Sequence, residues 1–148
     1  MRSINRKNPC LFLLIFVFTA LPIFPQETNP ASYIGLTLSD LIELLGVPES
    51  VHSSRGLNEW QDDVVFVYDF GNFYILRDRV WQIELRSAYR IRAGDSRNTV
   101  FLSFGEPIFT ANDYAIFSLN GFSWPMSIRF NFDSNGRVLL IFIYRSDL

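Results

Sequence analysis

Apolar residues fall at helical spacing twice along this chain, and each run ends in glycine, one further residue and proline. In the first, Leu38, Leu41, Ile42 and Leu45 form one stripe. Thr37-Leu38-Ser39-Asp40 has the form of a capping box, in which a hydroxyl and a carboxylate satisfy free N–H groups of the first turn. Gly46 stands where a helix needs a left-handed residue, and Pro48 prevents continuation. The pattern returns 59 positions on (94 − 35): Gly35 maps to Gly94, Leu41 to Val100, Leu45 to Phe104, Gly46 to Gly105 and Pro48 to Pro107. There Asp95 or Ser96 is the cap, and Val100, Phe101 and Phe104 make the stripe. A helix of about ten residues is marginal alone in water, so each must be held by packing on its own strands.

Aromatic-rich runs follow each helix and read as strands. In the first half these are Glu49–Ser54, Val64–Phe70, Phe73–Leu76 and Val80–Leu85. Turns are expected at Gly56–Glu59, Gly71-Asn72 and Arg77-Asp78, and Trp60 begins a further strand. In the second half they are Ile108–Ala111, Tyr114–Ser118, Ser127–Phe132 and Arg137–Tyr144. Asn120-Gly121 and Asn135-Gly136 have the composition of tight hairpin turns. Asp133-Ser-Asn-Gly136 faintly resembles a calcium loop, but the downstream glutamate is missing and a hairpin is the better reading. Arg79-Val-Trp-Gln-Ile-Glu-Leu85 aligns with Arg137-Val-Leu-Leu-Ile-Phe-Ile143. Simple alternation puts Trp81, Ile83 and Leu85, and Leu139, Ile141 and Ile143, on a helix-covered core face. The opposite face is then Val80, Gln82, Glu84 and Arg86 in the first half. In the second it is apolar: Val138, Leu140, Phe142 and Tyr144.

Residues 1–26 have the layout of a signal peptide: Arg2, Arg6 and Lys7, then the apolar run Leu11–Ala20, then Pro22 and Pro25. Cleavage after Ala20, cleavage near Gln26 and an uncleaved anchor are the three outcomes. Cys10 precedes the apolar run, whereas a lipid-bearing cysteine would follow it, so the exported part carries neither lipid nor disulfide. Removing the three cations takes the net charge from −2 to −5 and leaves ten arginines and no lysine. That argues against nucleic acid, or an anionic membrane surface, as partner. Residues 27–32 are a polar linker, 33–88 a first unit and 89–148 a second.

A short helical start ending in Gly-x-Pro, then antiparallel strands closing on Arg-Val-aliphatic, resembles two related families. One is the small lipoprotein of the bacterial outer-membrane barrel-assembly machinery, with one such unit. The other is the beta-lactamase inhibitor protein, with two in tandem, and the tandem form is the better fit over Gly35–Tyr144. The resemblance implies an α+β fold: two tandem helix-then-antiparallel-strands repeats forming one curved antiparallel sheet with the helices on one face. It also implies that the other face and hairpin loops grip a protein. Here those loops are Asp69–Phe73 and Asn120–Met126. The disulfides of the inhibitor and the lipid cysteine of the lipoprotein are both missing.

No residue set points to catalysis. His52 is the single histidine and has no nucleophile elbow or cysteine beside it. One histidine without cysteine cannot supply a zinc site, and Asp62 and Asp63 are adjacent and point apart. No glycine motif of a phosphate cradle occurs. No enzyme activity, metal or cofactor is expected. The aromatic residues are the stronger lead, because Trp, Tyr and Arg are enriched among binding hot spots. Phe122 and Trp124 either stand free on a hairpin or fold back on the core. The expected partner-binding set is Phe122, Trp124, Leu140, Phe142, Tyr144, Asp69 and Phe73. The expected function is a periplasmic or secreted, non-enzymatic protein–protein interaction module. An envelope scaffold or outer-membrane assembly factor is the first alternative, and a secreted binder of small molecules or peptides the second.

Overall fold

The computed structural model describes residues 29–55 and 63–148. The expected signal segment, the turn at 56–59 and Trp60 lie outside the described residues. The fold is α+β, with helices α1 (Leu38–Leu45) and α2 (Arg97–Phe104). The strands are β1 (Ser50–Ser54), β2 (Asp63–Tyr68), β3 (Gly71–Leu76), β4 (Arg79–Leu85), β5 (Ser87–Ala88), β6 (Ile91–Arg92), β7 (Phe109–Thr110), β8 (Tyr114–Leu119), β9 (Met126–Phe132) and β10 (Val138–Arg145). Eight of them make one antiparallel sheet in the order β1-β2-β3-β4-β10-β9-β8-β7, so β4 and β10 meet at its centre. β5 and β6 form a separate small hairpin.

Both helices start as the side chains dictate. Thr37 and Asp40 form the reciprocal capping box, and the Thr37 hydroxyl holds the Asp40 carboxyl below its ordinary range. At α2 the cap is Ser96, which accepts from the Thr99 N–H, while Asp95 accepts from the Arg92 N–H instead. Leu41 and Val100 are fully buried; Leu38, Leu45, Phe101 and Phe104 lie partly buried against the core. Ile42 faces outward at the edge of its stripe. Part of the expected linker is a 3-10 turn, Pro30–Tyr33, capped by Asn29.

The core face is read directly from the register. One row across the sheet is Phe66, Phe73, Ile83, Ile143, Ile128 and Phe117; the next is Tyr68, Gly71, Leu85, Ile141, Phe130 and Ala115. The side chains of both rows are buried. α2 covers the second half through Phe101 and Phe104, whose rings meet Phe117 and Phe130 at 5.7 and 5.1 Å. On the first half, Tyr68 of this face donates its hydroxyl to the Gly46 carbonyl at the end of α1.

Simple alternation fails at the start of both central strands. The β3–β4 register passes from Tyr74 with Gln82 to Ile75 with Val80, and so skips Trp81. The β9–β10 register passes from Leu140 with Asn131 to Val138 with Phe132, and so skips Leu139. Each is a β-bulge, which adds one residue and inverts the phase before it. Val80 and Val138 therefore point into the core, at 0% and 2% exposure, while Leu139 is 51% exposed. The expected core positions Trp81 and Leu139 are corrected to Val80 and Val138. Trp81 is partly buried and its indole N–H donates to Asp63.

The bulged starts are also where the chain just before each helix is tied down. Gly35 N–H donates to the Val80 carbonyl and Val80 N–H to the Leu36 carbonyl, at 2.8 and 2.9 Å; the pairs Gly94 to Val138 and Val138 to Asp95 have the same lengths. The Arg79 and Arg137 guanidiniums donate to the Gly35 and Gly94 carbonyls at 2.8 and 2.9 Å.

The Arg77-Asp78 turn joins β3 to β4 as expected, and one other turn shifts by two residues. The β2–β3 turn is Asp69-Phe70, not Gly71-Asn72. Asn120-Gly121 and Asn135-Gly136 lie in the connections expected of them, between the pairs Leu119 with Met126 and Phe132 with Val138. In the latter, the Asp133 carboxylate accepts from the Asn135 and Arg137 N–H groups.

The bulge gives a direct test. Val138→Ala should cost about 2 kcal/mol, the transfer of its lost methyl groups plus a cavity. Leu139→Ala should change stability by about 0.5 kcal/mol or less. Urea unfolding of the two variants that gave the reverse order would restore simple alternation.

Candidate functional site

The sheet face away from the core is continuous across the β4–β10 seam. One row is Val65, Tyr74, Gln82, Tyr144, Ser127 and Ser118; the adjacent row is Val67, Asn72, Glu84, Phe142, Arg129 and Ile116. At its middle, Phe142 stands between Glu84 and Arg129. The Arg129 guanidinium lies 4.5 Å from the centre of the Phe142 ring and 5.7 Å from that of Tyr114. Glu84 is held by two donors, the Tyr74 hydroxyl at 2.9 Å and the Asn72 amide at 3.1 Å.

The apolar side chains of this face are not bare. Phe142 is only 8% exposed because Arg129 lies over it. Leu140 and Tyr144 do lie on this face, each partly buried. Arg129 was not among the expected site residues. Its place opposite Phe142 follows from the β9–β10 register, which alternation alone does not supply. Glu84 is expected on this face by alternation, but not as a site residue. Arg129 Nε and Asn131 Oδ1 are buried without hydrogen-bond partners among the described groups. Burial, and then Glu84, push the Tyr74 hydroxyl far above its ordinary range, so it stays a proton donor. Burial also raises Tyr144, against the opposing pull of Arg129 and Ser127.

The remaining expected residues lie elsewhere. Phe73 is fully buried, with its ring edge-on to Tyr33, Tyr68 and Phe70; it is a core residue and not a loop contact. Asp69 is exposed in the β2–β3 turn beside Phe70. Phe122 and Trp124 are partly buried against the core, so they fold back instead of standing free. Trp124 lies on Gly35 so closely that a Cβ there would sit 2.5 Å from the indole, and Gly35 has φ +89°. The Arg145 guanidinium lies over the other partner of this contact, 4.9 Å from the Trp124 ring, and pairs with Asp147 at 2.8 Å. His52 is exposed on edge strand β1. Among the described residues no group of three or more His, Cys, Asp or Glu could hold a metal ion, and no helix is long and apolar enough to cross a membrane.

Two measurements check these placements. Trp124→Ala should lower the melting temperature by several degrees, because the indole fills space over Gly35; an unmoved melting temperature would free Trp124 for a binding role. Tyr74 has its folded pKa raised, so its contribution is full below the unfolded value near pH 10 and is lost as pH rises beyond it. Above about pH 10 the stability of Tyr74→Phe should therefore fall less steeply with pH than that of the parent, by up to about one proton.

No known family matches the sequence, and no curated protein matches it. The fold is similar to the crystal structure of an extracellular protein containing a SCP domain from Bacillus anthracis str. Ames, with TM-score 0.57 at 10% sequence identity. The match covers 90% of this chain and 51% of that one, so this chain spans about half that protein's length. At that identity the likeness is one of fold alone.

Proposed function

We propose that this chain is an exported, non-enzymatic protein–protein interaction module. In this reading it consists of two copies of one helix-then-strands unit, with both helices on one face of the shared sheet. A partner protein docks on the other face. The basic start and apolar run of residues 2–20 support export to the periplasm or beyond. The matched hydrogen bonds of Gly35, Val80 and Arg79 with those of Gly94, Val138 and Arg137 support the duplicated unit.

One observation carries the docking face. Glu84 and Arg129 stand on either side of Phe142, and each is held by neutral neighbours and not by the other. Opposite charges fixed in this way, among tyrosines and at the centre of a sheet, suit a partner that supplies the complementary charges. The set of contact residues proposed is Tyr74, Glu84, Arg129, Leu140, Phe142 and Tyr144. This retains three of the residues expected from sequence and releases Phe73, Phe122 and Trp124 to the core.

A photo-crosslinking residue placed at Tyr144 should trap one protein in cells that make this chain. The same residue at Leu102, exposed on α2, should not. Glu84→Arg and Arg129→Glu, each verified as folded by circular dichroism, should abolish the trapped product at Tyr144. Trapping from Leu102 instead, or trapping at Tyr144 that ignores both charge reversals, would refute the docking face.

A further inference from the structure

On the other side of β4 from Glu84 there is a cavity of about 440 Å³, bounded by the 3-10 turn, the β2–β3 turn and the β5–β6 hairpin. That volume suits a small organic ligand. Three aromatic residues, Tyr33, Phe70 and Tyr89, supply much of the wall, and Arg90 and Arg92 are the charged residues that line it. No acid lines it among the described residues.

The wall is set before any ligand arrives. The Tyr33 ring is fixed edge-on to Phe73 at 5.5 Å. The Tyr89 hydroxyl donates to the Asn29 side chain at 2.7 Å, and its ring meets Phe104 edge-on at 6.0 Å. Tyr89 and Arg90 are both left-handed, at φ +50° and +67°. Left-handed backbone costs a non-glycine residue about 1–2 kcal/mol, so the hairpin holds this turn against a local preference. Arg90 and Arg92 are exposed, and neither side chain has a hydrogen-bond or ion-pair partner among the described residues. A neutral apolar ligand would leave both charges unmatched. An inorganic anion would leave the aromatic wall wet.

We propose that this cavity binds a small aromatic anion, an aryl carboxylate or sulfonate, with its ring against Phe70 and Tyr89 and its acidic group on Arg90 and Arg92. Arginine suits this task because its fork of donors matches carboxylate and sulfonate geometry and its charge is permanent. The site is independent of the proposed docking face, because Leu85 in its wall points to the core side of β4. Failure of one reading leaves the other standing.

The probe is 8-anilinonaphthalene-1-sulfonate, titrated by fluorescence into the purified protein, with uncharged N-phenyl-1-naphthylamine as the comparator. One saturable site is expected for the sulfonate, with the neutral dye about tenfold weaker or more. The Arg90→Gln, Arg92→Gln double variant should raise the sulfonate Kd about tenfold or more at an unchanged melting temperature. Ser87→Trp, which places an indole at an exposed position of the cavity wall, should remove the site. Equal affinity for the two dyes, or unchanged sulfonate affinity in either variant, would overturn the proposal.

Discussion

The pairing of β4 with β10 is the contact on which the rest of the structure depends. It sets Ile83 beside Ile143 and Leu85 beside Ile141 on the core side, and Glu84 beside Phe142 on the other. All four core residues are buried, three of them with no exposure. Full burial of such a side chain is worth about 1.5–3 kcal/mol, an upper bound because unfolded chains already bury some surface. Without this seam, β1–β4 and β7–β10 would be two four-stranded sheets, each with a long central strand left open at its edge. Joined, their outer strands are β1, with polar serines and His52, and β7, of two residues, so what remains open is short or polar.

The same two strands also receive the chain that leads into each helix. Gly35 and Gly94 bond to Val80 and Val138, and an arginine from the preceding position clamps each glycine carbonyl. The bulges at Trp81 and Leu139 fall immediately after these contacts. A bulge increases local twist and turns the strand start. Here that lets Val80 and Val138 reach the core while their backbones serve the incoming segment. Helix placement and strand phase are therefore one geometric solution, found at both ends of the seam.

Much of this was legible in the sequence where local chemistry decides. Thr37 and Asp40 announce a capping box, Gly46 and Gly105 end their helices, and the aromatic runs are strands because their side chains suit a pleated, half-buried surface. What could not be read depends on partners distant in sequence. Nothing in Arg-Val-Trp-Gln marks Trp81 as the extra residue, because a bulge is set by the register with β3. The Tyr89-Arg90 turn has none of the residues that favour left-handed backbone. Phe73 reads as a loop residue only if the turn is placed at Gly71-Asn72. The turn at Asp69-Phe70 puts it in phase with Ile75 and inside.

Phe142 shows most clearly why a face can be inferred from sequence and an exposure cannot. Alternation places it on the far face, and there it stands, yet its surface belongs largely to Arg129. An aromatic covered in this way is a platform. It orients a guanidinium and lowers the entropy that cation would lose on meeting a carboxylate. Glu84 is oriented by a different device, two neutral donors from β3. The two charges come from different halves of the chain, Glu84 from β4 and Arg129 from β9, and only the central seam brings them to either side of one ring. Neither half alone presents both signs at that spacing. A surface that reads both charges together therefore reads the joined sheet, and the pairing that closes the core also composes the face turned away from it.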